Sequence, residues 1–116
     1  MGLYDSRVSA ANPIADLRAR IAPHGYALFL RPDRPAGWWV VLHGGRDRLA
    51  APQETRVATR ADALAVAERL FVNRRLHDLD SAIRDAGHRP PPWVDGSQDD
   101  QLVALERCAV ERGIVV

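Results

Sequence analysis

Two short segments constrain this chain most: Tyr26 to Arg31 (YALFLR) and Trp38 to His43 (WWVVLH). Both are rich in aromatic and branched residues, and the turn formers Pro32, Asp33, Pro35 and Gly37 separate them, which reads as a β-hairpin. Alternation puts Tyr26, Leu28 and Leu30 on one face of the first strand and Ala27, Phe29 and Arg31 on the other. In the second strand Trp38, Val40 and Leu42 oppose Trp39, Val41 and His43. A sheet with one wet face alternates apolar with polar residues, and this hairpin is apolar on both. Either the C-terminal helices cover the second face, or it is a platform carrying Phe29, Trp39, Arg31, His43 and Arg56. The expectation here is a helical cover, because aromatic residues usually sit in cores.

The flanking segments supply helices. Asn12 and Pro13 read as a cap and first helical residue, with Ile14, Leu17 and Ile21 on one face and Pro23 and Gly25 as the stop. Gly44, Gly45 and Asp47 break the second strand, and Glu54 to Ala58 reads as a third, edge strand. Thr59 with Asp62 resembles a capping box, followed at helical spacing by Ala63, Leu64, Ala67, Leu70 and Phe71. A continuation or a second helix runs through Leu76, Leu79, Ala82, Ile83 and Ala86 to Gly87. Ser97 and Asp100 open a last helix bearing Leu102, Leu105 and Ala109, which Gly113 ends ahead of Ile114, Val115 and Val116. The predicted fold is α+β: a small three-stranded antiparallel sheet in α-β-β-β-α order, packed with helices, plus C-terminal helices. One domain spans 1–116, with an arm at 1–11, a core at 12–87, a proline-rich linker at 88–97 containing RPPPW (Arg89 to Trp93), and a helix and tail at 98–116.

The order helix, three strands, helix over residues 12–73, ending in TRADALAVAERLF, resembles the double-stranded-RNA-binding domain. The part with a Trp on a strand and Thr-Arg-Ala-Asp-Ala opening the helix is similar to small three-stranded DNA-binding modules. The RNA-binding family opens its last helix with a basic cluster, where Arg60 alone is basic here, and it has a His-containing first hairpin loop, where this chain reads RPDRPAG. Either resemblance implies a nucleic-acid ligand.

Composition narrows function by exclusion. The longest unbroken apolar runs are five residues, as in Trp38 to Leu42, far below the roughly 20 that span a bilayer, and the N-terminus lacks the apolar core of a secretory signal. A cytoplasmic protein without a membrane partner is expected. One cysteine, Cys108, allows no intramolecular disulfide and no cysteine-rich zinc site. All sixteen basic residues are arginine and alanine occurs eighteen times, the composition of a GC-rich bacterial or phage genome. Net charge is +1, but residues 1–75 carry twelve Arg against seven acids, or +5, and residues 76–116 four against eight, or −4.

Catalytic signals are thin. His43-Gly44-Gly45 has the look of an oxyanion turn, yet no G-x-S-x-G nucleophile accompanies it. His77, Asp78 and Asp80 lack further ligands at metal spacing and read as a solvated helix junction. Cys108 reads as a small core residue, and Met1 to Ser6 fits a loose myristoylation pattern without a second anchoring signal. The expectation is therefore a non-enzymatic module with no cofactor and no metal. The first reading is a small protein-binding regulator or inhibitor of the phage or mobile-element kind, anti-defence or anti-CRISPR-like, using Phe29, Trp39 and Trp93 on a partner protein. The second is a nucleic-acid-binding module using the arginine-rich sheet edge: Arg31, Arg34, Arg46, Arg48, Arg56 and Arg60.

Overall fold

The computed structural model describes residues 12–46, 51–93 and 96–116. Helix α1 (Pro13–Ile21) passes through a 3-10 turn (Ala22–His24) into β1 (Tyr26–Pro32), then β2 (Trp38–Gly44) and β3 (Gln53–Val57). Helix α2 (Arg60–Asp85) and helix α3 (Gln98–Glu111) follow. The strands form one antiparallel sheet in the order β1-β2-β3, so the α+β architecture is as the residues imply. The caps are local chemistry: the side-chain oxygens of Asn12, Thr59 and Ser97 accept from the backbone N–H groups of Ala15, Asp62 and Asp100. The third strand begins one residue before the predicted one and ends at Val57.

Helices α1 and α2 lie on the same sheet face. Ile14, Leu17 and Ile21 of α1 join Tyr26, Leu28, Val40, Leu42 and Val57 of the sheet and Ala63 and Ala67 of α2 in one core. A second core lies further along α2, where Leu76, Leu79 and Ile83 meet Leu105 and Ala109 of α3, with Ile114 and Val116 against it. Of the two alternatives left open beyond Phe71, the structure shows the continuation: Arg60–Asp85 is one 26-residue helix, because nothing between Phe71 and Leu76 breaks it. One expectation is corrected here: α3 packs on α2, not on the second face of the hairpin.

Charged residues inside α2 hold these layers together. Asp78 is only 2% exposed; it accepts the Tyr26 hydroxyl and, at 3.1 Å, the Arg46 backbone N–H, with the Arg74 guanidinium 3.7 Å away. It was expected in a solvated junction and is instead a buried acceptor. Gly45 exists for this contact: its φ is +98°, and a Cβ there would stand 2.5 Å from the Asp78 carboxylate. Arg75, also buried, donates to both carboxylate oxygens of Glu106 on α3, at 2.8 and 3.2 Å, and to the Val116 carbonyl. Burial opposes its charge, but Glu106 and then Tyr26 outweigh that and push its pKa up.

The Tyr26 phenol has its pKa pushed well above the ordinary ~10, by burial first and by the neighbouring Asp78 second. A group whose folded pKa is raised stabilises fully below its unfolded pKa and stops doing so as pH climbs through the folded one. Stability should therefore hold to about pH 10 and fall above it. Tyr26→Phe should flatten that alkaline fall in urea titrations while lowering stability near pH 7 by ~1–3 kcal/mol, since Asp78 loses a donor. An unchanged alkaline slope in the variant contradicts the assignment.

Candidate functional site: the outer face of the sheet

The face turned away from α1 and α2 carries Ala27, Phe29 and Arg31 from β1, Trp39, Val41 and His43 from β2, and Glu54 and Arg56 from β3. Register makes rows of them. Arg31 stands opposite Trp39, and Trp39 opposite Arg56, so the indole is flanked on both sides by arginine. In the next row Phe29 faces Val41, which faces Glu54. The Phe29 ring meets His43 edge to face, centroids 5.2 Å apart at 86°. Val41 is buried and Trp39 half-buried, whereas Phe29 is 52% exposed. No described helix packs on this face.

Arginine 56 is held in place. Its Nε donates to the Asp33 carboxylate and its terminal nitrogen to the Ala36 carbonyl at 2.6 Å, so it braces the β1–β2 turn. Gly37, at φ +111°, makes this possible, because a Cβ there would lie 2.7 Å from the Arg56 guanidinium. Arg31 and Arg34 are exposed and make no ion pair or hydrogen bond with the described residues. They are the cations this end of the sheet offers to a ligand.

The structure thus brings together Phe29, Trp39, Arg31 and Arg56, with Arg34 in the adjoining turn, and leaves the other predicted site residues elsewhere. Arg46 turns toward α2, donating to Ser81 at 2.8 Å and to Asp85 at 2.7 Å, because its backbone is anchored on Asp78. Arg60 lies over Trp38, 5.9 Å from the ring centroid, on the helix-covered side. Arg48 falls outside the described residues. Trp93 is 64% exposed and borders a cleft beside α2 and α3, so it shares no surface with Phe29 and Trp39.

The remaining chemical candidates have structural roles. Gly44 and Gly45 form a turn packed on Gly25 and Asp78. Asp80 is paired with Arg84 at 2.9 Å, and among the described residues no three His, Cys, Asp or Glu side chains converge as a metal site. Cys108 packs at the margin of the second core. Among the described residues no helix is long and apolar enough to cross a membrane. The buried Tyr26–Asp78 pair and the partly buried Arg75–Glu106 pair escape sequence reading, although positions 75, 78 and 82 share helical spacing on the buried side of α2.

Comparison with protein-family models, curated proteins and solved structures finds no match. Because the exposed ring of Phe29 supports little of the core, Phe29→Ala should reduce stability by less than about 1 kcal/mol, against the ~3–5 kcal/mol of a buried Phe. Chemical denaturation checks this, and a loss in the buried range would show the face to be covered.

Proposed function

We propose that the outer sheet face binds single-stranded nucleic acid, in a cytoplasmic, non-enzymatic module. The observation that carries this reading is Trp39 held in register between Arg31 and Arg56, with the exposed Phe29 one row away. Aromatic rings on an open sheet stack on unpaired bases, each stack being worth roughly 1–3 kcal/mol, and guanidinium groups beside them reach the phosphates. Composition alone favours a protein partner; what favours bases here is an indole and a phenyl ring on one sheet face with Arg31, unpaired among the described residues, beside them.

Magnitude separates single strands from duplex. Duplex binders that depend on phosphate contacts neutralise about six to ten of them, and among the described residues only Arg31 and Arg34 lie unpaired near the rings. Affinity therefore rests on stacking, which paired bases do not offer. The protein-binding regulator is the second reading: Phe29, half exposed on a flat face, is also what a partner protein would bury.

Fluorescence anisotropy with labelled oligo(dT) and oligo(U) of about fifteen residues tests this, given site sizes of roughly 4–16 nucleotides on comparable platforms. The expected slope of log affinity against log salt is shallow, about −1.4 for two phosphates on a single strand. Trp39→Ala should weaken binding by about tenfold or more, Trp39→Phe should restore much of it, and a hairpin duplex should bind worse than either strand. No measurable binding, a preference for duplex, or indifference to Trp39→Ala would overturn the reading.

A further inference from the structure

A cleft of about 670 Å³ lies between the Arg89 to Trp93 segment and helices α2 and α3, remote from the sheet face. The segment predicted as a linker is one wall of it: Pro90 is buried, and the following prolines hold Trp93 at the rim. Leu76 and Leu105 make an apolar floor. Gln101, only 3% exposed, lines the same cleft, and its side-chain carbonyl accepts no hydrogen bond among the described residues. A buried acceptor without a donor is destabilising unless a partner arrives, and the last torsion of glutamine is broad enough to turn the amide into the cleft. At the rim Arg84 is taken by Asp80, whereas Arg89 is exposed and pairs with no described residue.

These groups describe a complementary ligand. An indole wall and proline ledge suit a planar ring, the Gln101 carbonyl requires an N–H or O–H donor, and Arg89 requires an anion at the open end. The volume lies within the range of small-molecule sites. From this geometry we infer that the cleft binds a small aromatic carboxylate carrying a ring N–H or O–H donor on the side away from its acid group. It stands independently of the sheet-face reading, since no residue is shared.

Isothermal titration calorimetry of the full chain with indole-3-acetate and 4-hydroxyphenylacetate tests it, with phenylacetate, which lacks the donor, and indole, which lacks the anion, as controls. Both acids should bind saturably, phenylacetate about tenfold more weakly, the size of one lost hydrogen bond to a buried group, and indole about two- to fivefold more weakly, the size of one exposed ion pair. Trp93→Ala, at an exposed position, should abolish binding without moving the melting temperature. Gln101→Leu should erase the preference for 4-hydroxyphenylacetate over phenylacetate while leaving the melting temperature equal or higher. If Gln101→Leu does not fold, Trp93→Ala and Arg89→Ala carry the test. Absence of saturable binding, equal binding of phenylacetate and 4-hydroxyphenylacetate by the parent, or adenosine monophosphate binding where the acids do not would each overturn the assignment.

Discussion

A carboxylate in the middle of a 26-residue helix, on a residue 2% exposed, sets the terms for the rest of this molecule. A carboxylate buried there needs donors and a countercharge, and the chain supplies them: the Tyr26 hydroxyl at the start of β1, the Arg46 N–H after β2, and the Arg74 guanidinium one turn back as ion-pair partner. Meeting that need pins both the entry of the first strand and the exit of the second against α2. The inner sheet face is thereby committed to the helix, and the outer face is left to whatever the chain can bring to it.

Helix α2 is long enough to serve two cores, and this explains why the last helix does not cover the sheet. Its first half packs on the sheet with α1, while its second half receives α3 through Leu76, Leu79 and Ile83 and through the Arg75–Glu106 pair. Arg75–Glu106 and Arg46–Asp85 also join the basic N-terminal part to the acidic C-terminal part. Once α3 is engaged there, its apolar stripe is used up. A hairpin with two apolar faces then keeps one of them free of any described helix, flanked by arginine, and this face is the basis of the proposed single-strand binding.

Local chemistry was legible in the residues. Strand alternation, the turn residues between Arg31 and Trp38, and the caps at Asn12, Thr59 and Ser97 each act within a few positions, and each is where the pattern puts it. The destination of α3 was not, because the stripe of Leu102, Leu105 and Ala109 says that a helix needs a partner without saying which surface it meets. Asp78 reads as part of a solvated junction because its partner Tyr26 lies 52 residues away in sequence, and nothing local marks Arg75, whose partner Glu106 lies 31 residues away. The same reason separates the arginines: Arg31 and Arg56 are neighbours of Trp39 by register, while Arg46 looks equivalent in sequence and is drawn off to α2 by the contact its backbone makes.

The most direct measurement is a 15N-resolved titration of the full chain with unlabelled oligo(dT), following every amide. The account requires shifts concentrated at Phe29, Arg31, Trp39, His43 and Arg56, on the outer face of all three strands, with residues of α3 and of the second core unmoved. Shifts centred instead on Arg46, Arg60 and the helix-covered side, or no shifts at saturating oligonucleotide, would contradict it.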